Sequence, residues 1–105
     1  MLDKLEAALK ATGLEFAAFG WSEAPAGDYG VFAPDGANDL YAGDRHAETA
    51  TEGTVDYFTR HNPAEAVSAI QGALESVEGL AWYLNSVQFE SDTGYIHLEW
   101  VVQEA

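Results

Sequence analysis

The chain has 105 residues, 48% of them hydrophobic and 12% aromatic, which suits a single domain with a buried core and is too apolar for a disordered acidic tail. Eighteen Asp and Glu face only Lys4, Lys10, Arg45 and Arg60, and the formal net charge of −14 excludes the cationic footprint that nucleic acids and anionic membranes require. The lack of cysteine removes a disulfide framework, a thiol nucleophile and a zinc knuckle, and fits a reducing compartment.

The opening residues Met1-Leu2-Asp3-Lys4-Leu5-Glu6 mix acid and base, unlike a signal peptide, and no apolar run approaches the roughly 20 residues that span a bilayer. A soluble, cytosolically made protein is expected. Leu2, Leu5 and Leu9 share one helical face over Leu2 to Thr12, and Gly13 stands at the C-cap position, so a short amphipathic helix is predicted there. Leu14 to Trp21 is apolar and aromatic and too short for a helix; it reads as a strand. A loop through Pro25 and Gly27 follows, then a brief strand over Tyr29 to Ala33, stopped by a turn at Pro34-Asp35-Gly36.

Asn38 to Gly53 has no clear period and reads as an exposed hairpin or a loop with an edge strand. Thr54 to Thr59 is β-branched and aromatic, as strands are. The clearest element is a second helix: Asn62 as N-cap, Pro63 in the first turn, and Glu65 in a capping-box-like place. Val67, Ile70, Leu74 and Val77 recur at spacings of three and four, flanked by Ala66, Ala69 and Ala73, and Gly79 closes the helix. Leu80 to Glu90 and Tyr95 to Gln103 form a hairpin around Ser91-Asp92-Thr93-Gly94. In its second arm Ile96, Leu98, Trp100 and Val102 alternate with Tyr95, His97, Glu99 and Gln103, so one face is core and the other wet or covered by a partner. In the first arm the alternation breaks near Asn85-Ser86, which points to a bulge or a change of face. The fold class expected is α+β, a mainly antiparallel sheet with two helices on one face.

Catalytic and metal readings find little support in the residues. His97 with Glu99, and His46 with Glu48, have strand spacing that can hold a cation, but solvated strand residues are the commoner outcome. His61 precedes the N-cap and reads as a solvated loop residue, and there is no HExxH, no G-x-S-x-G and no phosphate-cradling glycine loop. Asp44-Arg45-His46 are neighbours in sequence, which rarely converge on one substrate. A non-enzymatic protein without metal or cofactor, acting by binding protein surfaces, is expected. Trp100 fits core packing, whereas Trp21, Trp82 and Tyr41 are less clearly inward.

The order of segments resembles a known family. The residues that carry the resemblance begin with an N-terminal helix before Leu14-Glu15-Phe16-Ala17 and continue with Ala24 to Phe32 and Asn38-Asp39-Leu40-Tyr41-Ala42-Gly43-Asp44. Thr54 to Thr59 before a helix, and the hairpin Val87 to Ser91 with Ile96 to Trp100, complete it. Over nearly its whole length the chain looks like a tail-terminator or tail-completion protein of long-tailed bacteriophages and prophages, within the head–tail joining group. Gly30 and Ala33 depart from the larger β-formers usual in that family.

The resemblance implies a virion structural protein at the tail–head junction, made in the bacterial host cytoplasm. It implies a homo-oligomeric ring, typically a hexamer, that caps the tail tube and meets the head connector or completion protein. Asp39, Tyr41, Asp44, Glu48 and Glu52 become candidates for lumen or subunit contacts, since a carboxylate-lined channel would not hold DNA phosphates. A second reading from a different class is an acidic inhibitor or DNA mimic that fills the basic cleft of an enzyme; it requires carboxylates in a duplex-like row.

Overall fold

The computed structural model describes residues 2–34 and 51–104. Helix α1 (Asp3–Ala11) is followed by strands β1 (Phe16–Ala18), β2 (Tyr29–Pro34) and β3 (Thr51–Thr59), helix α2 (Pro63–Ser76), and strands β4 (Leu80–Glu90) and β5 (Tyr95–Glu104). The five strands form one sheet in the order β1-β2-β3-β5-β4. Only β1 and β2 run parallel; the other three pairings are antiparallel. This is the α+β architecture that the residue pattern predicts.

Both helices lie on one face. Leu2, Leu5 and Leu9 of the α1 region and Ile70, Ala73 and Leu74 of α2 share a core with Phe16, Phe32, Val55, Tyr57, Leu98, Trp100 and Val102. Each large aliphatic side chain buried there contributes about 1.5–3 kcal/mol before entropy. Trp100 is fully buried, and its indole N–H donates to Gln71 Oε1 at 3.1 Å, so its one polar atom is satisfied inside the core.

Local chemistry sets the ends of the elements. Gly13 and Gly79, both with φ near +84°, terminate the two helices. Asn62 Oδ1 accepts from the Ala64 amide at 3.0 Å, which makes Asn62 the N-cap of α2. The α2 stripe is buried at Ile70 and Leu74, with Val77 just past the helix end, whereas Ala69 is exposed and only Ala66 and Ala73 approach the core.

Several boundaries differ from the sequence reading, those of α1 and β5 by a single residue. The strand expected over Leu14 to Trp21 contracts to Phe16–Ala18, because Phe19 adopts φ +67° and turns the chain out of the sheet. The strand expected from Thr54 begins at Thr51, and Pro34 still belongs to β2. Tyr95, expected on the wet face, is 7% exposed: its hydroxyl donates to the Gly27 carbonyl at 2.9 Å and the Arg60 guanidinium lies 4.0 Å above its ring. Arg60 and the rings of Tyr29 and Phe58 cover it, not the core.

Candidate functional site

The sheet face turned away from both helices carries Glu52, Thr54, Asp56 and Phe58 from β3 opposite Gln103, Val101, Glu99 and His97 from β5. Glu90 joins them from the end of β4, opposite Tyr95. Four of these residues are carboxylates. Alternation alone places them there, since every second residue of a strand faces the same way.

His97 sits at the centre of this face. Its Nε2 lies 2.7 Å from Asp56 Oδ1 and its Nδ1 3.7 Å from Glu90 Oε2, while its ring stacks on Phe58 at 4.3 Å. Phe58 in turn stacks on Tyr29 at 4.8 Å, and Tyr95 meets both edge-on. Burial pushes the Asp56 carboxyl up; His97 pulls the other way without cancelling it. Glu99 receives Asn85 Nδ2 at 3.0 Å. His97 and Glu99 do share a face, but the histidine pairs with Asp56 and Glu90. Among the described residues no group of three or more His, Asp or Glu could hold a metal ion.

A second polar cluster ties the start of β2 to the turn before α2. Asp28 accepts from Thr59 Oγ1 at 2.6 Å and from the Arg60 amide at 3.1 Å, and its Oδ2 lies 3.0 Å from His61 Nδ1. Burial raises the Asp28 carboxyl, but these hydrogen bonds outweigh it and hold the group below the usual carboxylate value. Beside it an open hollow of about 250 Å³ is lined by Leu14, Asp28, Tyr57, Thr59 and Glu65, among others. Burial, with Asp28 and Glu15 nearby, pushes the Tyr57 hydroxyl up to about 12. His61 is a largely exposed loop residue, as expected, with a carboxylate partner that sequence distance concealed.

The third feature is the edge strand β4. Leu80 and Trp82 pack against the core, and the Trp82 indole donates to Glu75 Oε1 at 3.2 Å. The register then slips between Leu84 and Ser86, a bulge at the predicted place. The slip changes which parity faces the helices. Val87 and Phe89 now stand opposite Leu98 and Ile96, in line with Leu84 opposite Trp100, while Ser86, Gln88 and Glu90 turn to the acidic face. Helix α2 does not reach this corner: Val87 is 58% and Phe89 68% exposed, and Leu84 is also exposed.

Of the residues proposed for lumen or subunit contact, Glu52 is exposed on the acidic face, beside two open hollows of about 340 and 330 Å³ that meet at Val101. Asp39, Tyr41, Asp44 and Glu48 lie outside the described residues. Trp21 is half-buried and donates its indole N–H to the Gly30 carbonyl at 2.9 Å. Sequence reasoning missed Asp56 and Glu90 as partners of His97, although the period-two pattern of β3 and β5 could have placed Asp56 on that face. It also missed the exposed Phe19. No protein-family model, no curated protein and no solved structure matches the chain.

Proposed function

We propose that this protein is a structural subunit of the head–tail junction of a long-tailed bacteriophage or prophage. In this reading copies close into a ring, typically a hexamer, which ends tail-tube growth and offers a docking surface to the head connector. It acts by shape and charge, without a cofactor.

The observation that carries the reading is the division of labour across the sheet. One face holds both helices and the core, while the other presents Glu52, Asp56, Glu90 and Glu99. Arg60 is folded onto Tyr95 and donates its Nε–H to the Thr93 carbonyl at 3.0 Å. With that face turned to the channel, DNA phosphates meet like charge and slide without being held. The alternative reading, a DNA mimic, needs carboxylates standing in a row to meet a basic cleft. The four carboxylates here are instead spread over three strands, Glu52 and Asp56 on β3, Glu99 on β5 and Glu90 on β4.

The test is negative-stain electron microscopy of the protein added to the polymerising tail-tube protein of the same genome. Tubes of arrested length, each ending in one ring, are the expected result. Tubes that grow unchecked and carry no ring refute the reading, and one-to-one capture of a basic nuclease would establish the mimic instead.

A further inference from the structure

We infer that the β4 edge of one copy docks on the β1 edge of the next, so that copies join head to tail through the two ends of the sheet. This deepens the ring reading and rests on it.

Two oddities at opposite ends of the strand order point to this contact. At one end, the bulge in β4 lines up Leu84, Val87 and Phe89 in an exposed apolar row that α2 leaves uncovered. Among the described residues the strand is an edge of eleven residues without the Lys, Arg or Pro that often guard such an edge, and its bulge serves to line up the apolar row. At the other end, beyond the three residues of β1, Phe19 is held at φ +67°, an uncommon backbone state for a bulky side chain, and its ring is 69% exposed. The Phe19 amide donates to the Phe32 carbonyl at 2.8 Å, which anchors the turn that projects this ring. Next to it lies a small open cleft of about 90 Å³, lined by Leu2, Ala18, Phe32 and Pro34 together with the carboxylates Asp3 and Glu6.

Charge selects the occupant. Each copy carries −14, so two copies repel wherever carboxylates meet. From Leu80 to Phe89 the β4 strand has no charged residue, and Glu90 stands at its far end. A basic partner finds no carboxylate along this row, whereas a like-charged copy meets least repulsion there. The β1 end supplies an exposed aromatic ring and a hollow with apolar walls, and the Asp3 and Glu6 carboxylates beside that hollow would face an uncharged row rather than further carboxylates. A contact between two different patches on opposite sides of a subunit is heterologous, and such contacts generate rings when the rotation closes. Joining edge to edge also keeps the helices of successive copies on one side and the acidic faces on the other.

The chain lacks cysteine, so single-cysteine variants report the geometry cleanly. Phe19→Cys and Val87→Cys proteins, one carrying a mass tag, are mixed and treated with a short bifunctional thiol reagent. The expected product joins one copy of each variant, and the double variant gives a ladder of linked copies. Both positions are exposed, and circular dichroism checks that each variant folds. Val87→Lys, which adds an edge guard, is expected to weaken self-association by about tenfold or more while leaving the fold intact. Val87→Cys linking efficiently to itself would overturn the inference in favour of a two-fold contact between β4 strands. Assembly that persists in Val87→Lys, with no mixed product, would overturn it while sparing the ring. A wild-type chain that stays monomeric at every concentration and salt, with no mixed product, would overturn both.

Discussion

The amide of Leu5, in the first turn of α1, donates to Glu104 Oε1 at 3.3 Å, across 99 residues of sequence. A carboxylate at a helix N-terminus meets orphan N–H groups and the positive end of the helix dipole. Glu104 is 5% exposed, and its strand, β5, lies in the interior of the sheet. The last residues of β5 thereby hold the first helix in place. Glu104→Ala is expected to cost about 1–2 kcal/mol in urea unfolding, whereas Glu104→Gln, which keeps an acceptor, is expected to lose less.

Two glycines mark close approaches within the sheet. A Cβ on Gly30 would run into the Phe16 ring, and one on Gly53 would stand 2.5 Å from the Ala33 carbonyl oxygen. Phe16 is buried and Ala33 is backbone-bound in β2, so neither yields freely. Gly30→Ala and Gly53→Ala are each expected to destabilise by about 1–3 kcal/mol, read as a lower thermal midpoint. Gly30 is thus required by the packing of Phe16.

The two perturbed aspartates respond to pH with opposite signs. Asp28 is held below its unfolded value of about 3.9, so its contribution is present above that value and is lost as pH falls through the folded one. Asp56 is held above its unfolded value, so the folded state binds its proton more tightly. Stability then falls as pH rises from about 3.9 through the higher folded value. Asp28→Asn is expected to cost about 1.5–3 kcal/mol at pH 7 and to flatten the acid limb of a stability profile. Asp56→Asn is expected to leave neutral stability unchanged or higher, because Asn still offers an oxygen to His97. Equal losses in both variants would contradict these assignments.

Helix α2 depends on its buried stripe and its cap. Ile70 is fully buried, so Ile70→Asp places an unpaired carboxylate in the core and is expected to unfold the chain by circular dichroism. Asn62→Ala removes an exposed cap and is expected to cost about 1 kcal/mol with the fold retained.

Much of the architecture was legible because its signals are local. The Asn62-Pro63 start of α2, the Gly13 and Gly79 stops, the alternation of Ile96 to Val102 and the break at Asn85-Ser86 each rest on residues a few positions apart. What escaped were contacts that depend on strand order. His97 and Asp56 are 41 residues apart and meet because β3 and β5 are neighbours, which requires α2 to carry the chain past that slot to β4 before β5 returns into it. The exposure of Val87 and Phe89 likewise follows from where α2 stops covering the sheet, and a period-two pattern carries no record of that. The shortening of β1 reflects the backbone state of Phe19, which an apolar aromatic run conceals.

Sedimentation velocity of the wild-type chain at low and high ionic strength tests the central claim, that copies of this acidic chain close into a ring through contacts that are not ionic. The account predicts one discrete oligomer of fixed size that forms more readily as salt screens the repulsion between copies. Assembly that dissolves as salt rises, or an open series of ever larger species, would contradict it.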